Sequence, residues 1–433
     1  MELFLSGMVI ALCCTIRLCT STNSPVSSST NGTGLNTNGA ITFPVFHINN
    51  SLISTMIQPE GMPADSTVIG DDSMRKNKYF MGISLGTPPV FNLVAIDTGS
   101  TLSWVQCENC QIKCYHQAAE AGQIFNPYNS STYSKLGCST EACHDVHMDL
   151  SVEYGCVEEN DACIYSLRYG SGEYSVGYLG KDRLTLATTT TTSSISSSID
   201  NFIFGCGQDN FYSGSNAGIV GFGTKSYSFF NQVSQLTDYT AFSYCFPRNH
   251  ENKGSLTIGP YARDINIMWT KLIYYDHRPA YAIQQLDMMV NGIRLEIDPY
   301  IYTSQMTIVD SGTTDTYILS SVFDALDKAM TKEMQAKGYA RGWEERKICF
   351  ISNSGSANWN DFPTVEMKLI RSTLKLPVEN AFYESSNNVI CSTFLPDDAG
   401  VRGVQMLGNR AVRSFKLVFD IQAMNFGFKA RAC

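Results

Sequence analysis

A repeat constrains this chain more than any other feature. Leu93-Val94-Ala95-Ile96-Asp97-Thr98-Gly99-Ser100-Thr101 returns as Met306-Thr307-Ile308-Val309-Asp310-Ser311-Gly312-Thr313-Thr314. In both copies an apolar, β-prone run leads into Asp-[Thr/Ser]-Gly-[Ser/Thr]. One such tetrapeptide reads as a turn after a strand. Two in matching strand contexts read as an internal duplication. A duplicated chain folds as two related halves, and each half supplies one aspartate, so the site is expected between two lobes.

The chemistry accounts for the residue types. Two carboxylates held close together cannot both ionise cheaply, so they share a proton, one acting as base and the other as acid. Peptide hydrolysis needs that pair of roles: activation of a water and protonation of a leaving amine. Gly99 and Gly312 allow close backbone approach and leave their N–H groups free to donate to the carboxylates. The hydroxyls of Thr98, Ser100, Ser311 and Thr313 are suited to holding the loops together.

The rest of the chain supports a mostly β fold. After Tyr79, short β-rich runs such as Phe202-Ile203-Phe204, Gly218-Ile219-Val220 and Leu417-Val418-Phe419 follow one another between Gly, Asn and Asp. Helical periodicity is confined to residues 321–335, with Val322, Leu326, Ala329 and Met330 on one side, and to residues 230–236. The Ser/Thr run at 188–198 lacks apolar anchors and reads as a surface loop between strands.

Composition excludes some functions. The chain of 433 residues carries a formal net charge of −9 without long Lys/Arg runs, which argues against nucleic-acid binding. The apolar stretch around residues 3–12 is too short and interrupted for a stable membrane span. It fits a secretory signal over residues 1–22, despite acidic Glu2 and a late Arg17; an uncleaved anchor is the alternative. Residues 23–77 are rich in Ser, Thr, Asn and Gly and read as a disordered or conditionally ordered propeptide. Three of the 15 cysteines, Cys13, Cys14 and Cys19, lie in the signal stretch, leaving an even number, 12. An even count in a secreted chain favours disulfides. Cys107-x2-Cys110-x3-Cys114 resembles half a zinc site, but nothing completes it, and no metal or other cofactor is expected. His144 and His147, three apart among cysteines, read as surface residues. Sequons at Asn31, Asn49 and Asn129 agree with a glycoprotein.

With these residues in hand, residues 79–433 resemble a pepsin-like aspartic peptidase. Tyr79 through Gly86-Thr87-Pro88-Pro89 is similar to the family's mature start, and Trp104-Val105 follows the first Asp as in that family. Tyr169-Gly170-Ser171-Gly172 resembles the flap that closes over substrate. Gly218-Ile219-Val220-Gly221-Phe222-Gly223 and Met406-Leu407-Gly408-Asn409 look like the segments crossing behind each catalytic loop. The cysteine-packed interval between Trp104 and Tyr169 looks like the insert of plant nepenthesin-type peptidases.

The resemblance implies an all-β, bilobal pepsin-like fold. An N-terminal lobe would span 78–265, with a Cys-rich insert at 107–163, and a C-terminal lobe 266–433. It implies an aspartic endopeptidase made as a zymogen and working at acid pH, with Asp97 and Asp310 catalytic. Tyr169, Gly99, Gly170, Ser171, Gly312, Thr313 and Thr314 would bind substrate, and Thr98, Ser100, Trp104 and Ser311 would support the site. Trp104 would pack under the flap. Cys349 and Cys391 would pair, and Cys433 would take Cys206 or Cys245. The partner would be a protein or peptide substrate, and the protein a monomer of the secretory route (extracellular, apoplastic or vacuolar), with a plastid as the alternative location. Asp315 departs from the family pattern: it either shifts the pH optimum or faces solvent, and solvent is favoured. Arg75, Lys76 and Lys78 offer either a cation to neutralise the dyad before activation or an ordinary cleavage site. Some relatives keep this fold without catalysis and act as inhibitors or binding proteins, so that reading stays open beside the enzyme.

Overall fold

The computed structural model describes residues 41–47 and 78–433, apart from 111, 151–154, 190–193, 236–239, 249–253, 260–265, 276–278, 353–355, 387 and 398–403. Strands dominate, and the few helices are short except for Ser320–Ala336. The signal stretch and the sequons at Asn31 and Asn49 lie outside the described residues; Asn129 is exposed.

Alternation builds two adjoining cores from the same strands. In Tyr79–Leu85, Tyr79, Met81, Ile83 and Leu85 enter the large core that runs through both halves. Phe80, one step out of phase, enters a second core with Leu93, Ala95 and Trp104. Successive strand side chains point to opposite faces, so one strand closes both cores. In the C-terminal half, Val322, Leu326, Met330 and Met334 are buried along Ser320–Ala336 at a spacing of four, the helical face that the periodicity predicts.

The duplication is visible in backbone pairing. Val90–Asp97 runs parallel to Gly218–Gly221, with Asp97 opposite Gly221. Thr307–Asp310 runs parallel to Gln405–Gly408, with Asp310 opposite Gly408. Both crossing glycines are required by space: a Cβ on Gly221 would lie 2.3 Å from the Thr101 carbonyl, and one on Gly408 2.3 Å from that of Asp315. Six strands at one end of a 15-stranded sheet join the halves, in the order Met268–Lys271, Asn425–Lys429, Lys416–Asp420, Ala241–Cys245, Gly254–Ile258, Ile41–His47.

Two expectations are corrected here. Ile41–His47, inside the segment read as disordered or conditionally ordered, is a strand that pairs antiparallel with Gly254–Ile258 and then with Tyr79–Leu85. Its Ile41, Phe43 and Val45 alternate into the core, a three-residue apolar pattern that the polar composition around it conceals. The Ser/Thr run is also not simply a loop: Tyr174–Thr189 and Ser194–Phe211 form one long antiparallel ribbon, with Thr188 opposite Ile195. Thr is β-branched and suits a strand, and the ladder continues from well-anchored pairs upstream.

All 12 cysteines outside the signal stretch are paired: Cys107–Cys206, Cys110–Cys114, Cys138–Cys156, Cys143–Cys163, Cys245–Cys433 and Cys349–Cys391. The pairing of Cys349 with Cys391 matches the family expectation, and Cys433 takes Cys245 rather than Cys206. Cys143, Cys163 and His147 lie close together, but both thiols are consumed in a disulfide and are not available as thiolate ligands. His147 is only half-exposed and its Nε2 lies 2.8 Å from the Ile164 carbonyl, so it is part of the insert's packing rather than a surface residue.

Candidate active site

The two Asp-Gly loops meet at the centre, each wired like the other. Gly99 N–H donates to Asp97 Oδ1 at 2.9 Å, and Gly312 N–H to Asp310 Oδ1 at 2.8 Å. Ser100 Oγ donates to Asp97 Oδ2 at 2.5 Å, and Thr313 Oγ1 to Asp310 Oδ2 at 2.6 Å. Behind the carboxylates the loops grip one another. Thr98 Oγ1 donates to the Val309 carbonyl (2.8 Å) and accepts from Ser311 N–H (2.9 Å). Ser311 Oγ donates to the Ile96 carbonyl (2.9 Å) and accepts from Thr98 N–H (2.9 Å). Four buried hydrogen bonds across the molecule's pseudo-twofold thus lock the loops in register.

The glycines fix how near the carboxylates come. A Cβ on Gly99 would lie 2.6 Å from the Asp310 carboxyl carbon, and one on Gly312 2.5 Å from Asp97 Oδ1. Each loop's glycine therefore abuts the opposite carboxylate, a contact that any side chain would prevent. Asp97 and Asp310 are both buried. Burial, and then the neighbouring Asp310 charge, push the Asp97 carboxyl above the ordinary carboxylate range; hydrogen bonds from Ser100 and Gly99 oppose the shift without cancelling it. A pair in this position holds one proton between its two members.

The hairpin of Ala162–Arg168 and Tyr174–Thr189 turns through residues 169–173, and its Tyr169 feels the Asp97 charge. Its turn is closed by Gly172 N–H to the Tyr169 carbonyl (3.0 Å) and Tyr169 N–H to the Glu173 carbonyl (2.9 Å). Gly172 takes φ +85, which glycine adopts without strain, and a Cβ at Gly170 or Gly172 would meet nothing. Gly170 and Ser171 sit at the exposed tip. Tyr169 turns back beneath it and accepts, on its hydroxyl, a 2.8 Å hydrogen bond from Trp104 Nε1. Burial, with Asp97 next, holds the Tyr169 hydroxyl well above its ordinary pKa and therefore protonated. The Thr313 and Thr314 carbonyls accept from Asn409 and Arg410 N–H at 2.8 and 3.0 Å. The second loop is thereby tied to the segment that crosses behind it.

With this geometry described, the comparisons decide the family. A family model described as "Xylanase inhibitor N-terminal" matches residues 79–260, and one described as "Xylanase inhibitor C-terminal" matches residues 280–430. Aspartic proteinase nepenthesin-1 of Nepenthes gracilis is 30% identical over 82% of this chain and 78% of its own length. The chain belongs to the pepsin-like aspartic peptidases, of nepenthesin type. Aspartic proteinase nepenthesin-2 of Nepenthes gracilis is 27% identical over 88% of this chain and 82% of its own. The fold matches the crystal structure of basic 7S globulin from soybean with a TM-score of 0.67, at 18% identity, over 90% of this chain and 95% of that one.

Two charged residues of this chain lie where the sequence did not lead. Asp315 does not face solvent: it is largely enclosed and pairs with Arg410 Nη1 at 2.5 Å, and that guanidinium lies 3.9 Å from the Tyr383 ring centre. Burial pushes the Asp315 carboxyl up and Arg410 only partly offsets this, so a partner 95 residues away, invisible to local reading, decides its place. Lys78 makes no ion pair with the dyad. Its ammonium donates to Tyr212 Oη at 3.0 Å and lies 3.7 Å from Glu173 Oε2. Arg75 and Lys76 lie outside the described residues. Glu173 and Tyr212 carry no motif of their own; the only sequence cue to Glu173 is its position at the end of the flap turn.

Proposed function

We propose that this chain is an endopeptidase that hydrolyses protein or peptide substrates at acid pH with a water activated between Asp97 and Asp310. The observation that carries the proposal is the reciprocal approach of the loops: each glycine lies against the opposite carboxylate, and each carboxylate accepts the same backbone and hydroxyl donors. A shared proton leaves one carboxylate as base for the water and the other as acid for the leaving nitrogen. The raised Asp97 carboxyl supports protonation of the pair across the acid range. Substrate would run extended through the cleft under Tyr169, with backbone groups near Gly99, Gly170, Ser171, Gly312, Thr313 and Thr314 meeting its peptide groups. Thr98, Ser100, Ser311 and Trp104 would hold these parts in place. The reading needs no cofactor. Six disulfides among the described residues support the secretory route; removal of an N-terminal segment would be the activating step.

The test is hydrolysis of a denatured protein by acid-treated material between about pH 3 and 7, beside Asp97→Asn. Activity that peaks in acid, is blocked by pepstatin and is absent from the variant is expected. A folded, processed protein without hydrolysis overturns the enzyme and leaves the inhibitor or binding-protein reading that the family models' descriptions favour.

A further inference from the structure

An ammonium removed from water is stable only when it is paired, and Lys78 is mostly enclosed. Burial lowers its pKa, but Tyr212, Glu173 and the more distant Asp97 outweigh that and hold it charged. Its ammonium also lies 4.3 Å from the centre of the Tyr212 ring. Glu173, buried at the foot of the flap, ties three segments together. Its Oε2 accepts from Ser171 Oγ at the flap tip (2.9 Å) and faces Lys78, and its Oε1 accepts from Ser213 N–H (2.8 Å) and from the Ser213 hydroxyl. Burial raises the Glu173 carboxyl, but Lys78 and Ser213 outweigh this and lower it, so the pair is ionic. Tyr212 in turn stands edge-on to Trp104, 5.7 Å between ring centres, and Trp104 holds the Tyr169 hydroxyl.

We propose that the Lys78–Glu173 ion pair is a flap-positioning device: it fixes the foot of the flap hairpin to the start of Tyr79–Leu85 and thereby sets the pose of Tyr169 over substrate. Lys78 and Glu173 are positioning residues in this scheme, acting through Tyr212, Trp104 and the turn. The kinetic consequence rests on the endopeptidase reading; the effect on the flap itself does not. Maturation must then cut before Lys78, because trimming past it would leave Glu173 buried without its cation.

The experiment compares wild type, Lys78→Met, Glu173→Gln, the double variant and Lys78→Arg in the processed protein. It reads hydrogen exchange over residues 169–173, kcat and KM for one peptide, and thermal melting. Each single charge removal is expected to speed flap exchange and lower kcat/KM by about tenfold. The double variant should lose no more than either single, because both remove one interaction. Lys78→Arg, which keeps the charge, should retain most activity, which separates a misfolded variant from a mispositioned flap. Flap exchange or kcat/KM within about twofold of wild type in Lys78→Met overturns the proposal, whatever melting does. If wild type hydrolyses nothing, the endopeptidase reading falls, and the exchange comparison alone decides whether the pair holds the flap.

Discussion

The loop around Asp97 and the loop around Asp310 use the same donors on the same oxygens, yet the structure behind them differs. The first half carries a flap, a disulfide-braced insert and a buried lysine–glutamate pair at the flap's foot. In the second half Asp315, just past its loop, is tied by Arg410 to the segment crossing behind it. The chemistry proposed for the site needs two carboxylates close enough to share a proton, so the loops stay alike. The hairpin turn at residues 169–173 comes from the first half, so the supports need not be alike. Each half satisfies its enclosed charges locally, as buried charges require.

The sharpest way to break the equivalence is to neutralise one carboxylate at a time. Asp97→Asn and Asp310→Asn should each lower kcat by about a thousandfold or more, measured as peptide turnover. A tenfold disparity between the two would show that the halves are not interchangeable in the chemistry. The asymmetric support is probed next: Arg410→Met strands the enclosed Asp315 and should cost about 2 kcal/mol in denaturant unfolding. No loss there would mean that Asp315 finds water instead.

Removing half of the reciprocal grip is a smaller change. Thr98→Val and Ser311→Ala each delete a hydroxyl that donates one buried bond and accepts another, and each should cost about 1–3 kcal/mol by the same measurement. Equal costs sharpen the symmetry, and unequal costs locate the weaker half.

The smallest effect is a pH dependence of stability. Because the native Asp97 carboxyl is raised above its ordinary value of 3.8, its stabilising protonation is fully present below that value and is lost as pH rises through the native one. Asp97→Asn escapes this loss, so it should gain on wild type by about 1–2 kcal/mol from pH 4 to pH 7, read as a widening difference in Tm. A constant difference would mean that neither burial nor Asp310 raises the Asp97 carboxyl.

Much of this was legible in one dimension because it is written in short, local patterns. The duplicated Asp-Gly loop, the Gly-flanked flap turn and the helix over Ser320–Ala336 each lie within a single continuous segment. Composition misled where a few residues overrode their surroundings. Ile41, Phe43 and Val45 make a strand inside a polar stretch, and the Ser/Thr run extends a ribbon whose anchors lie elsewhere. Disulfide pairing was legible as an even count, while the choice of Cys245 for Cys433 was not.

The sequence by itself determined that two aspartates would face each other across two related halves, because each half of a duplicated chain supplies one of them. It determined the apolar alternation that builds both cores, because side-chain direction in a strand follows from chain geometry. The tertiary structure alone decided which charges are met and by what. Lys78 reaches Tyr212 across 134 residues and Asp315 reaches Arg410 across 95. A buried charge takes whichever partner the fold brings near, and that choice is not recorded in the residues on either side of it.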